Sequence, residues 1–193
     1  MTEGGIVGKI GLNEYGVGCC LNAIMAKGVD KNKIPIHLAL RLVVSSKSAE
    51  EAIETLTKTG CASAGHIFVA DSTTARGLEF SAFDYKALDL DGKNHLFHTN
   101  HYLAPHNAEE GQTEWVSDSP FRLSRIEELS KSLKPSIEGI QEAFKDEKNS
   151  PGSICRIGSS VTLFNIVMDL SAKTAAVTIG RPIDPDSKLT FSF

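Results

Sequence analysis

The stretch "HLFHTNHYL", residues 95–103, places His95, His98 and His101 three apart around Asn100. Imidazoles at such spacing can ligate a metal, move a proton or simply face solvent, and geometry chooses among these. The Asp91-Gly92 turn signal just upstream predicts a hairpin whose second strand is this stretch. On a strand His95 and His101 share one face, about 20 Å apart at ~3.3 Å per residue, while His98 and Asn100 point to the other. One strand therefore cannot bring the three rings to one ion. No HExxH or paired Cys/His spacing supplies ligands elsewhere, so no metal and no cofactor are expected. The remaining reading of the histidines is polar groups at a strand end near solvent.

Asn100 is the more informative residue, a carboxamide inside an apolar, aromatic run. Its N–H can donate to an oxyanion that develops during acyl transfer, a contribution of ~3 kcal/mol in known cases. It can equally satisfy a backbone group, and chemistry alone leaves both open. A cysteine nucleophile needs a base and an electropositive setting. Cys19 and Cys20 fall in mid-strand, so one of them must face inward. Cys61 follows Gly60, and Cys155 precedes Arg156, which strand alternation turns the other way. None has a partner by spacing, so all four are expected to be buried structural cysteines. Ser81 and Ser153 read as ordinary strand serines.

The elements that must position these groups follow from pattern. "GIVGKIGLNEYGVGCCLNAIM" predicts a hairpin with strands at Ile6–Ile10 and Val17–Ile24, its turn using Asn13 and Gly16 at positive φ. A helix starts at Pro35, and Ser48 caps a second one with Glu51 at the capping-box position and Gly60 as its stop. "SAGHIFVAD" and "ARGLEFSAFDYKALDL" are strand-like, with "DSTT" between them. Residues 104–118, with His106 and the single Trp115, read as a long loop. "SPFRLSRIEELSKSL" is a helix with Ser119 as cap and Pro120 at its first position, and "SIEGIQEAFKD" another. "SICRIGSSVTLFNIVMDLSAKTAAVTIGRP" predicts two long strands. Hairpin connections and segregated helices imply an α+β fold with antiparallel sheets covered by helices on their outer faces.

The bulk numbers set limits. The 193 residues suit a single domain, 1–193, with 41% hydrophobic and 23% charged residues and a net charge of −4. No block of Lys and Arg favours nucleic acid. No apolar run reaches the ~20 residues of a membrane helix, and no secretory signal or SKL-type terminus is visible. Sparse cysteines without CxxC spacing fit a reducing, cytoplasmic setting.

The motifs "TEGGIVGKIGLNEYGVGCCLNAI", "IPIHLALRLVVSSKSAEEA", "ARGLEFS", "FHTNHYLAPH", "SICR" and "TLFNIVMDLSAKTAAVTIGRPIDP" occur in order over residues 2–186. Together they resemble the acyl-coenzyme A:6-aminopenicillanic acid acyltransferase family, the C45 peptidase-like branch of the N-terminal nucleophile hydrolases. The resemblance implies an αββα sandwich and a precursor that cuts itself at a Gly-Cys bond. The freed cysteine is then the nucleophile and its own α-amino group the base. With a pKa of about 7.7–8.0, that amine can accept a thiol proton at neutral pH. The chemistry implied is acyl transfer or amide hydrolysis through a thioester, on an acyl-coenzyme A or acyl-amide small molecule. Residue by residue, the family's oxyanion-hole asparagine corresponds to Asn100. The serine of its Gly-Leu-Glu-Phe-Ser motif, tied to processing or activity, corresponds to Ser81.

Two departures accompany the match. The family pattern has Ser-Arg before Thr-Leu-Phe-Asn, where this chain has Gly158-Ser159. The Gly-Cys-Thr nucleophile lies upstream of the segment matching Thr2-Glu3, and Gly18-Cys19 and Gly60-Cys61 occupy other positions. The expectation is a partial sandwich, the C-terminal portion of a cysteine acyltransferase or amidohydrolase. It would be inactive alone and completed by an N-terminal segment or subunit. The alternative is a non-catalytic binding or partner module that keeps the sandwich.

Overall fold

The structure, a computed structural model, describes every residue except 3, 6, 7, 112–116 and 159. The expectations that fall on Ile6, Val7, Trp115 and Ser159 lie outside the described residues. Five strands form one antiparallel sheet in sequence order: β1 (Gly11–Leu12), β2 (Gly18–Asn22), β3 (Gly65–Ala70), β4 (Ala75–Phe80) and β5 (Tyr85–Leu88). Helices α1 (Ile36–Val43) and α2 (Ala49–Thr59) connect β2 to β3. After β5 come α3 (Ser119–Ser130) and α4 (Ile137–Ala143). A second antiparallel sheet comes last, with β6 (Phe164–Asp169), β7 (Thr174–Arg181) and β8 (Asp184–Ser192) in sequence order. Among the described residues, two antiparallel sheets and four helices give the expected α+β sandwich class.

Local chemistry explains the elements. The Ser48 hydroxyl accepts from the Glu51 amide at 3.1 Å, and the Glu51 carboxylate reaches back to the Lys47 amide at 2.8 Å. Gly60 ends α2 at φ 66°, a left-handed value that a side chain would strain. On one face of the large sheet Cys19, Ile67, Val69, Leu78 and Phe80 pack under Leu40 and Val43 of α1 and Ala52 and Leu56 of α2, all within 1% of full burial. On the second sheet Thr178 meets Gln141 of α4 at 3.4 Å. The two sheets approach where Leu170, in the turn between β6 and β7, lies over Gly18.

Several expected elements differ. The first strand is only Gly11–Leu12. Asn13 is not among the positive-φ residues, and Gly16 alone takes φ 83° in that turn. Instead the Asn13 side chain accepts from the Tyr15 and Val17 amides, both at 3.0 Å, so its hydrogen bonds rather than a left-handed backbone make the turn. The run 75–90 is not one strand, because Ser81–Asp84 folds it into the β4–β5 hairpin. β5 is therefore the strand before the Asp91-Gly92 turn, the expected hairpin partner of "HLFHTNHYL". The Asp91-Gly92 turn does form, with Asp91 accepting from the Lys93 and His95 amides at 2.8 Å. Beyond this turn, however, residues 95–103 are irregular chain laid across the sheet face rather than a strand. Residues 153–158 form no strand either, and β6 starts at Phe164. A third strand, β8, pairs with β7 despite Pro185, which sits at a register shift on the sheet edge where a missing N–H costs no ladder bond.

Candidate active site

The face of the large sheet opposite α1 and α2 is polar where β2, β3 and β4 run side by side. Register aligns Asn22, His66 and Glu79 there. Glu79 is fully buried. A buried carboxylate is costly unless several donors satisfy it, and this one has four. Oε1 accepts from His98 Nε2 at 2.8 Å and the Leu103 amide at 2.6 Å. Oε2 accepts from the Ala104 amide at 3.0 Å and faces His106 Nε2 at 3.2 Å. Burial alone would raise its pKa, but the His98 ring and the two amides outweigh that and bring it to about 2. One carboxylate on β4 thus fastens the irregular segment 98–106 to the sheet.

The network continues through His106, whose Nδ1 meets Asp84 Oδ1 at 2.7 Å. The same Asp84 oxygen accepts from the Ser81 hydroxyl at 2.5 Å, and Asp84 Oδ2 accepts from the Asn107 amide at 2.9 Å. His106 therefore has a carboxylate oxygen within hydrogen-bond distance of each ring nitrogen. His98 faces acceptors on both sides as well, since its Nδ1 lies 2.8 Å from the Thr99 carbonyl. His66 differs. Burial, then the neighbouring His98, depresses its pKa from the usual 6.5 to about 3. Its ring stacks on His98 at 3.7 Å, and its Nδ1 is 2.9 Å from Asn22 Oδ1. Gly77 makes room for this ring, because a Cβ there would lie 2.6 Å from His66 Nε2.

Asn100 follows His98 and Thr99 in the chain and is held by the first turn of α3. Its backbone amide donates to the Ser119 hydroxyl at 2.7 Å, and Thr99 Oγ1 donates to the Ser119 carbonyl at 3.0 Å. Ser119 is not the helix cap as expected. Asp118 holds that position without a side-chain cap bond, and the fully buried Ser119 hydroxyl turns instead to Asn100, Thr99 and His101. The Asn100 side chain uses both ends. Nδ2 donates to the Ala23 carbonyl at 2.9 Å, and Oδ1 accepts from Arg122 Nη2 at 2.9 Å.

The structure thus disperses the three spaced histidines. His95 stays near the surface beside Asp91, His98 enters the polar core, and His101 bonds Ser119 at 2.7 Å. No group of His, Cys, Asp or Glu among the described residues is placed to hold a metal ion. Cys19, Cys61 and Cys155 are fully or almost fully buried, and Cys20 partly so. Burial pushes the thiols of Cys19 and Cys61 up to about 12 and of Cys20 up to about 11, the reverse of an activated nucleophile. Arg156 is not on a strand opposite Cys155. It leaves the Cys155 bend to pair with Asp118 at 2.8 Å.

These residues lie within a recognised sequence family. A model of the acyl-coenzyme A:6-aminopenicillanic acid acyltransferases matches residues 2–184. The chain belongs to that family. It is 37% identical over 199 aligned residues to the 40 kDa form of an acyl-coenzyme A:6-aminopenicillanic-acid acyltransferase from Emericella nidulans. That alignment takes in 100% of this chain but 56% of the relative, so the chain spans about half the length of the curated protein it matches. Within this acyltransferase family chain, the two residues carried over by resemblance, Asn100 and Ser81, stand at opposite ends of one region. Ser81 reaches Glu79 through Asp84 and His106, and Asn100 joins it through Thr99 and His98. The Ser81 hydroxyl also accepts from the Phe83 and Asp84 amides at 3.1 and 3.0 Å, so it is fully engaged in the β4–β5 turn.

Sequence reasoning misses Glu79, Asp84, His106, Ser119 and Arg122 as parts of this site. Glu79 does carry a signal, a lone acid between Leu78 and Phe80 in an apolar strand, which demands buried donors. The others have none, because the partners that bring them to the site are 19 to 27 residues away. No helix among the described residues is long and apolar enough to cross a membrane.

Proposed function

We propose that this chain is the C-terminal portion of a cysteine-dependent N-terminal nucleophile enzyme, with residues 1–193 as part of one domain. Its reaction is acyl transfer or amide hydrolysis through a thioester, on an acyl-coenzyme A or acyl-amide small molecule. The nucleophilic cysteine and its α-amino base come from a segment or subunit that precedes this chain. Asn100 is the oxyanion donor, and Ser81 supports processing or activity by building the turn that holds Asp84.

The observation that carries this reading is the orientation of the Asn100 amide. Its oxygen is engaged by a guanidinium and one N–H by a carbonyl, while the second N–H has no partner among the described residues. A carboxamide fixed in this way offers a donor in a preset direction, with no reorganisation when negative charge develops on an acyl oxygen. The buried cysteines of this chain support a nucleophile supplied from elsewhere, since none combines exposure with a lowered pKa. The same burial is the one observation that favours a non-catalytic binding module instead.

Coenzyme A release from an acyl-coenzyme A in the presence of 6-aminopenicillanic acid separates the two. The chain alone is expected to release none, whereas the chain produced with its upstream coding region turns over and loses turnover when the upstream cysteine is replaced. Thiol release by the chain alone contradicts the proposal. Binding without turnover in the longer protein selects the binding module.

A further inference from the structure

Among the described residues, Asn100 is the side chain of the 98–106 segment gripped by a cation of α3. Arg122 closes the helix's first turn, three residues after Ser119, so the two face the same side. Its side chain is 12% exposed. The guanidinium is planar, and two of its donors are committed. Nε donates to Asp118 Oδ1 at 2.9 Å, and Nη2 donates to Asn100 Oδ1 at 2.9 Å. Asp118 is itself anchored, because its other oxygen pairs with Arg156 Nη2 at 2.8 Å. A planar fork held at Nε leaves Nη2 no freedom of direction.

We infer that Arg122 is a positioning residue that locks the Asn100 amide in one of its two flips and polarises it as a hydrogen-bond donor. A flipped amide would set its NH₂ against the guanidinium N–H and its oxygen against the Ala23 carbonyl. Both contacts of the observed flip, Oδ1 to Arg122 and Nδ2 to Ala23, would become like-to-like. The guanidinium charge beside Oδ1 also draws density from the amide, which makes its N–H groups stronger donors. The Ser119 hydroxyl fixes the Asn100 backbone at the same time, so one helical turn sets both ends of the residue. The value of the lock to catalysis rests on the proposed acyl-transfer function; the lock itself does not.

The test is solution NMR on the ¹⁵N-labelled chain, with Asn100→Asp identifying the side-chain amide signal. In Arg122→Met the Asn100 NH₂ resonances move, and rotation about its C–N bond, read as exchange between the two N–H signals, speeds by roughly tenfold or more, the factor implied by losing the charge-assisted bond that holds one flip. The Leu103 and Ala104 backbone amides, held by Glu79, keep their exchange rates, which a merely structural role of Arg122 would not spare. Arg122→Lys, a cation without the fork, restores part of the shift. An unchanged Asn100 side-chain signal in folded Arg122→Met overturns the inference. If Arg122→Met does not fold, Asp118→Asn removes the charge that both Arg122 and Arg156 meet while keeping an acceptor oxygen for Arg122 Nε, and the same signal must move in the same direction or the inference fails. A loosened Asn100 amide together with no acyl transfer in the longer protein keeps the lock and sinks only the acyl-transfer reading.

Discussion

The two faces of the five-stranded sheet are built from the same strands by opposite means. Towards α1 and α2, Cys19, Ile67, Val69, Leu78 and Phe80 meet helix side chains, and burial of apolar area alone suffices. On the other face, Asn22, His66 and Glu79 occupy the alternate positions and are covered by irregular chain held through hydrogen bonds. The apolar face tolerates substitution in proportion to volume. The polar face stands or falls with its pairing, because a half-satisfied buried network is worse than none. Stability is therefore spread over the first face and concentrated at one carboxylate on the second, which is also where the candidate site is held.

Substitutions can break that contrast. The largest effect is expected for Glu79→Ala, which strands the donors of His98 and His106 and the amides of Leu103 and Ala104. Removing one partner of a buried charge pair costs about 3–5 kcal/mol, and urea unfolding should place this variant at the upper end. Leu56→Ala on the apolar face should cost about 3 kcal/mol by the same measurement, yet leave segment 98–106 in place as judged by protection of the Leu103 amide. Glu79→Ala should abolish that protection.

Acid sharpens the contrast further. The folded pKa of His66 is about 3 against an ordinary 6.5, so between those values the unfolded chain binds a proton that the folded chain refuses. Glu79, at about 2 against 4.5, acts in the same direction over its own window. Stability should therefore fall as pH drops from about 6.5 towards 2, as followed by urea midpoints across that range. Leu56→Ala should shift the whole curve without changing its slope, whereas Glu79→Gln should flatten it below pH 4.5. The smallest effect is expected at the α2 cap, far from the polar face. Ser48→Ala should cost about 1 kcal/mol in urea unfolding and leave the acid dependence unchanged.

The contrast also explains how far the sequence is legible. Ser48, Glu51 and Gly60 announce α2 because capping is decided within a few residues. The apolar stripes of α1, α2, β3 and β4 repeat with the periods of their elements, so the helix-facing half of the sheet reads directly from the pattern. The 95–103 stretch misleads because its turn signal is real, while Glu79 on the sheet face draws in His98 and the Leu103 and Ala104 amides in competition with the edge of β5. No local pattern reports that competition. Ser119 looks like a helix cap in sequence and serves Asn100 in space, since the donor it meets is 19 residues away. β8 is hidden because Pro182 and Pro185 suggest an end to strand structure, and only the register shift at Ile179 and Gly180 accommodates them. Asn100 is marked by its motif, but the reason for its orientation, Arg122, lies on another element.

Asn100 as a preset donor is tested by the single-turnover rate of thioester formation from an acyl-coenzyme A in the longer protein carrying its upstream cysteine, compared with its Asn100→Ala variant. A preset donor predicts a rate lower by about 10²–10³ in a variant that stays folded, its urea unfolding shifted by about 1–3 kcal/mol for the two side-chain bonds lost. An unchanged rate in the folded variant would contradict it.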